Sequence, residues 1–255
     1  MLDNQVADTF SNAASYYKQH DVLQRLTAQR IFDSANFTGT LLDVGAGPGT
    51  CFKVFKSVEN VVAVDIAQGM LVELNQHFND YLPLCSDAQA LGLQTASIDS
   101  IYSNLALQWC QSFPKAIEEF HRVLRPSSEC YISVVAEGSL PELRTLGFRT
   151  NSFMSLSAML AAFTDGSSNS KWEGEWQVLM AVVESITVYF DDLRSLLYSI
   201  KGVGASSGNE TIVNFNKMLT KGSWQSRLAL AETMRTEQGI PLTYKVAYIR
   251  AKRGE

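Results

Sequence analysis

The sequence predicts an α/β protein built on a mostly parallel, seven-stranded sheet with helices on both faces, two helices ahead of it and a helical insertion late in the chain. Three observations predict it. Short β-rich runs alternate with helical patterns from residue 40 to residue 135, and a glycine turn follows the first run. A composition of 46% hydrophobic and 18% charged residues over 255 positions is that of a globular chain long enough for one large core.

The first thirty residues carry Val6, Phe10, Ala13, Ala14 and Tyr17, then Val22, Leu23, Leu26 and Ile31, at helical spacing, which predicts two amphipathic helices within residues 1–37. A core over 38–136 follows. Its strands are read at 40–44, 61–65, 81–85, 100–105 and 130–135, with helices at 69–78, at 113–124 and directly after the glycine turn. After Ala136 the rhythm breaks: 140–163 reads as helical and 164–175 as a polar Ser/Asn/Gly loop. A strand at 185–190, a helical stretch from Asp191 with a Gly-rich interruption at 202–208, and a last strand at 242–249 complete the count. The segments 138–184 and 191–240 are thus expected to form a helical cap on a single domain, 1–255.

A net charge of -5 argues against general nucleic-acid binding, which needs a basic surface. No basic-then-apolar leader and no apolar run of about 18 residues stands in the chain, which predicts no membrane span and a cytoplasmic protein. Cys51, Cys85, Cys110 and Cys130 lack the close pairing of a zinc site, so no metal is expected and reduced packing residues are. A monomer is the expected state.

The run from Leu41 through Asp43, Val44, Gly45, Ala46, Gly47, Pro48 and Gly49 to Thr50 places an apolar strand before three alternating glycines, where the backbone can turn sharply and admit a ligand. A steric strand-to-helix turn would need glycine as well. Twenty residues on, the second strand ends at Asp65, whose carboxylate suits two ribose hydroxyls. The third glycine stands one place earlier than the nicotinamide pattern requires, which favours another nucleoside.

With Ser86, Asp87 and Ala88, these residues resemble the class I S-adenosylmethionine-dependent methyltransferases, a Rossmann-like fold, over roughly residues 38–136. The resemblance implies that Gly45 and Gly47 line the methionine part, with Asp43 and Ala46 in the same loop. It implies that Asp65 holds the ribose, that Ile66 and Met70 flank the adenine, and that Asp87, beside Ala88, accepts from its amino group. A helix cap is the other reading of Asp87. Asn104, Leu105, Gln108 and Trp109, at the end of the fourth strand, fall at the carboxyl edge where such sheets bind ligands, with simple core packing as the alternative for the apolar members.

Segments outside that core resemble the malonyl-acyl-carrier-protein O-methyltransferases of biotin synthesis, the BioC family: Phe10 to Tyr17 with Gln24, Ser103 to Cys110, Gly138 to Leu143, Phe190 to Asp192, Lys201 to Ala205, and Pro241 to Tyr244. The family implies methyl transfer to the free carboxylate of a malonyl thioester, with an acyl carrier protein bearing malonyl-phosphopantetheine as partner and S-adenosylhomocysteine as the spent donor. Tyr17, His20 and Arg25, on N-terminal helices that close over the cofactor, are candidates to touch donor or substrate, Tyr17 both. Packing for Tyr17 and a polar surface for His20 are the alternatives. Lys201 could meet the malonyl group or the arm's phosphate, or be a solvated helix-end lysine. Arg144, Arg149, Lys171, Lys201, Lys217 and Lys221 are expected to supply a basic patch for an acidic carrier.

Overall fold

The computed structural model describes residues 2–13, 21–164, 175–202 and 221–255. Its seven strands are β1 (Gly39–Val44), β2 (Val58–Asp65), β3 (Leu82–Cys85), β4 (Ile98–Asn104), β5 (Leu124–Val135), β6 (Trp176–Phe190) and β7 (Ile240–Arg253). They form one sheet in the order β3-β2-β1-β4-β5-β7-β6. β1 to β5 pair in parallel, and β7 runs antiparallel to both β5 and β6. The chain winds outward from β1 to β3 and then restarts on the other side with β4. That reversal opens a crevice at the carboxyl ends of β1 and β4, where open α/β sheets take ligands.

Alternation along the strands feeds two cores. Leu42, Val44, Val62 and Val64 face one layer, with Phe113, Ile117 and Phe120 of helix α4 (Phe113–Val123) and Met159 of α6 (Leu156–Thr164). Leu41, Val61 and Ala63 face the other, with Leu23 and Ile31 of α2 (Val22–Phe32) and Leu74 of α3 (Gln68–His77). Helix α4 shows how the sequence sets its own register: Ser112 Oγ accepts from Lys115 N at 3.4 Å, proline stands in the first turn, and the apolar stripe is buried along one face. Each buried Phe or Ile there contributes about 1.5–3 kcal/mol.

Helix α1 (Leu2–Ala13) lies on α3, where Gly69 N donates to Ser11 Oγ at 3.2 Å. A Cβ at Gly69 would stand 2.8 Å from the Ser11 backbone, so glycine there permits the approach. A third core joins α5 (Pro141–Thr145), α7 (Leu193–Gly202), α8 (Lys221–Thr233) and the near ends of β6 and β7 through Leu143, Phe148, Leu196, Leu197, Ala231 and Leu242.

Three expectations change. No helix follows the glycine turn: residues 50–57 run through turns, because Phe52 and Phe55 are drawn into an aromatic cluster with Phe32, Phe37 and Tyr102, and Thr50 O and Phe52 N bond the Tyr81 hydroxyl. β6 begins at Trp176, so 176–184 is strand rather than cap; its pairing with β7 continues to Arg253. On α2 the buried stripe is Leu23, Thr27 and Ile31, while Val22 and Leu26 face outward. Thr27 fits inside because its Oγ1 bonds the carbonyls of Leu23 and Gln24, both at 3.0 Å.

Candidate active site

The glycine loop is hung from the neighbouring strand. Gly45 N and Ala46 N both donate to Val64 O, at 2.8 and 2.9 Å, which bends the chain off β1 into left-handed conformations at Gly45 (φ 73°) and Gly47 (φ 53°). The two positions differ in surroundings. A Cβ on Gly45 would fall 2.1 Å from Ala106 Cβ, whereas one on Gly47 would meet nothing within 4 Å.

Asp65 closes the loop from the side. Its Oδ2 accepts from Gly47 N at 2.9 Å and its Oδ1 from Ala67 N at 2.8 Å, which leaves further lone pairs on both oxygens. Burial raises its pKa, and the amides of Ala67, Gly47 and Ile66 oppose the rise. Asp43 lies beneath the loop, 1% exposed, and its Oδ2 has no partner among the described residues. Burial, then the nearby Asp65 charge, pushes the Asp43 carboxyl well above its usual range.

That shift has a stability consequence with a definite sign. Between the ordinary carboxylate pKa near 4 and the raised folded value, the unfolded chain has lost a proton that the folded chain retains, so stability falls as pH rises. Asp43→Asn should therefore raise the Tm of the cofactor-free protein by about 2–4 °C at pH 8 and by little at pH 4. An equal Tm change at both pH values in thermal unfolding contradicts the argument.

Asp87 stands at the end of β3 in an Asx turn, not as a helix cap: Oδ1 accepts from Gln89 N at 2.8 Å, and Gln89 Nε2 reaches both carboxylate oxygens at 3.1 Å. Gln89 in turn takes the Ser112 amide at 2.8 Å. Gln89 was missed in the sequence; the i, i+2 spacing of Asp87 and Gln89 is the signal that could have found it.

The far wall comes from β4 and the 3₁₀ turn Leu107–Trp109. Asn104 Nδ2 donates to Gln24 O at 2.9 Å, which ties α2 to the strand end, and its Oδ1 accepts from Ser133 Oγ at 2.6 Å. Leu105 follows at φ 52°, a left-handed geometry that costs a residue with a Cβ about 1–2 kcal/mol. It is held there by its amide bond to Ser133 O at 2.9 Å. Trp109 packs edge-on to Phe10 of α1, with ring centroids 5.6 Å apart.

These walls enclose a cleft of about 760 Å³ with its mouth. Gly45, Gly47, Asp65, Ile66, Met70, Asp87, Ala88, Asn104, Leu105 and Trp109 all line it, as do Val6 and Phe10 of α1, neither of which the sequence marks as a cofactor contact. A second cavity, behind the loop, is lined by Asp21, Gln24, Arg25, Ala46 and Thr50 and shares Gly45, Gly47 and Asn104 with the first. Arg25 there pairs with Asp21 at 3.3 Å and is largely exposed. Two expected contacts are not on either wall: Asp43 lies below, and Gln108 turns its Nε2 back to Leu105 O at 2.5 Å. Tyr17 and His20, with Lys171 and Lys217 of the expected basic patch, lie outside the described residues, and Lys201 and Lys221 are placed only as backbone, in the last turn of α7 and the first of α8. A nucleoside fits this cleft: Asp65 offers carboxylate acceptors beside open space at Gly47, and Ile66 and Met70 offer an apolar slot next to Asp87.

Residues 42–132 match the family described as a methyltransferase domain. The malonyl-acyl-carrier-protein O-methyltransferase of Pseudescherichia vulneris is 33% identical over 229 residues, covering 89% of this chain and 88% of that protein. The chain belongs to the malonyl-acyl-carrier-protein O-methyltransferase family. The member from Marinomonas is 29% identical over 98% of this chain and 93% of its own length. The bifunctional biotin-biosynthesis protein BioHC of Cellvibrio japonicus is 32% identical over 96% of this chain and 49% of its own. A putative methyltransferase from Bacillus halodurans shares the fold at a TM-score of 0.62, with 13% identity over 89% of this chain and 98% of that one. As in its family, the methyl donor of this enzyme is S-adenosylmethionine. No helix among the described residues is long and apolar enough to cross a membrane.

Proposed function

We infer that this enzyme transfers a methyl group from S-adenosylmethionine to the free carboxylate of a malonyl thioester on an acyl carrier protein, giving the methyl ester that starts pimeloyl synthesis for biotin. The carrying observation is that similarity to malonyl-acyl-carrier-protein O-methyltransferases runs through the whole chain, beyond the methyltransferase core and into the lobe of α5, α7 and α8.

The chemistry asks little of an acid or base. A malonyl carboxyl, with a pKa near 4, is already the nucleophilic carboxylate at pH 7. The bound donor supplies an electrophilic methyl on a positively charged sulfur. What the chain adds is placement: holding the reactants in line is worth about 7–11 kcal/mol of barrier. In this reading Asp65 takes the ribose hydroxyls, Ile66 and Met70 sandwich the adenine, Asp87 accepts from its amino group, and Gly45 and Gly47 let the methionine end pass. Phe10 and Trp109 close the mouth and exclude water.

The described wall of the cleft carries two carboxylates and no Lys, Arg or His, so it offers a desolvated malonyl anion no cation. We propose that Tyr17 and His20, in the chain between α1 and α2, and Lys201 supply those donors. Both helices face the cleft or its neighbour through Phe10 and Arg25, which supports that assignment.

The test is incubation with methyl-labelled donor and malonyl-carrier. We expect a gain of one methyl on the carrier, released as methanol in alkali. A label that survives alkali points to carbon methylation of another acceptor, and no label on any malonyl thioester overturns the reading.

A further inference from the structure

The arginines of this enzyme divide by what neutralises them. Arg25, Arg30, Arg122, Arg125 and Arg250, on or beside the sheet, each meet a carboxylate, of Asp21, Glu184, Glu119, Asp99 and Glu129 respectively. In the lobe of α5, α7 and α8 this pairing thins: Arg235 keeps Glu232, whereas Arg194 lies over the Trp224 ring. Arg144 and Arg149 are exposed, Arg227 is half-exposed, and none of the three is ion-paired among the described residues.

Two of them are instead held by neutral groups. Arg144 Nη1 donates to Ser139 O at 2.6 Å, and Arg227 Nη2 donates to Gly147 O at 3.1 Å with its guanidinium 4.4 Å above the Phe148 ring. Carbonyls and a ring face fix a guanidinium's direction without cancelling its charge. Local acids are turned away: Glu142 Oε2 accepts from Thr243 N at 3.0 Å on the sheet side, and Glu232 is bound to Arg235 at 2.6 Å. Glu137, at the end of β5, is the exposed acid that precedes α5. Arg144 and Arg227 thus flank residues 147–150, which carry Arg149, and no carboxylate pairs with any of the three among the described residues, on a chain of net charge -5.

The place of this group in the fold matters. Only residues 136–140 separate β5 from α5, and Ser133 of β5 bonds Asn104 on the cleft wall, so the group stands beside the edge of the sheet that opens on the cleft. The guanidiniums are not held on one common group, as a phosphate site requires: Arg144 is anchored at Ser139, Arg227 at Gly147, and Arg149 makes no hydrogen bond among the described residues. A spread field of this kind suits carboxylates distributed over a protein surface.

We propose that Arg144, Arg149 and Arg227 are the docking surface for a carboxylate-rich face of the carrier protein that presents the malonyl arm. This rests on the substrate reading given above. Charges of this exposed kind act on encounter and affinity, and leave the chemical step alone.

The test uses Arg149→Glu and Arg149→Glu/Arg227→Glu, assayed against malonyl-carrier, malonyl-coenzyme A and the N-acetylcysteamine thioester of malonate. For malonyl-carrier, KM should rise about fivefold in the single variant and about 20-fold or more in the double, with kcat within about twofold. KM for the two small thioesters should stay at the wild-type value. Added salt should raise the wild-type carrier KM more steeply than that of the variants. A carrier KM within twofold of wild type in both variants overturns the proposal, and so does an equal rise for coenzyme A, which would mark a phosphate site. Arg149 makes no hydrogen bond or ion pair among the described residues, so the single variant remains a valid test if loss of the Arg227–Phe148 stack unfolds the double. Failure of the wild-type enzyme to methylate any of the three thioesters would instead sink the substrate reading.

Discussion

Asp65→Asn should raise the Kd for S-adenosylmethionine by about 100-fold while the protein stays folded. The side chain is nearly unchanged in shape, so the effect comes from hydrogen-bond polarity. In the wild type both oxygens already accept backbone amides, from Gly47 and from Ala67, on opposite sides of the carboxylate. An amide has one oxygen, so whichever way Asn turns, its NH₂ group faces a backbone N–H. Turned toward Gly47 it pushes the loop from its seat; turned toward Ala67 it disturbs the start of α3, which carries Met70. Either way one acceptor for the ribose is lost, and a charge-assisted bond is worth about 1.5–3 kcal/mol. Titration calorimetry beside a melting curve separates binding from folding. A Kd within threefold of wild type would show that Asp65 serves the loop alone.

Asp65 also shows why this part of the site was legible in the sequence. Its place on the cleft follows from standing at the end of β2 and bonding the glycine loop at Gly47, and the twenty-residue spacing from Gly45 is set by one β-loop-β unit. The same holds for Ile66, Met70, Asp87 and Trp109, which reach the cleft within a few residues of a strand end. What escaped the sequence depends on contacts made far along the chain. Residues 50–57 have helical promise, yet Phe52 and Phe55 find Phe32, Phe37 and Tyr102, and that burial outweighs the local bonds of one short helix. The first half of β6 reads poorly as a strand because Leu179, Val182 and Val183 on this edge strand remain exposed and blur the period-two pattern, while β7 supplies the pairing. Gln108 was polar and next to the site, and only the backbone turn at Leu105 decides that it bonds inward.

The second large effect distinguishes two glycines that look equivalent in the sequence. Gly45→Ala should lower Tm by roughly 6–12 °C, from a loss of about 3 kcal/mol, because the new methyl meets Ala106 Cβ at 2.1 Å and the left-handed backbone adds its own strain. Ala106 sits between Leu105 and the 3₁₀ turn, so relief of the clash must move the wall that carries Trp109. Gly47→Ala has only the backbone term, about 1 kcal/mol or 2–4 °C, since its methyl enters open space. Gly47 lines both cavities, however, and the proposed function passes the methionine end of the donor beside it. Gly47→Ala should therefore fold well and bind S-adenosylmethionine at least 30-fold more weakly, a loss of about 2 kcal/mol from displaced contacts. Melting and calorimetry on the same two preparations decide it. A Gly47→Ala protein that binds normally would remove the donor from beside Gly47, and a Gly45→Ala protein that melts with wild type would mean the β4 turn is free to retreat. The two glycines thus separate what the loop does for the fold from what it does for the ligand.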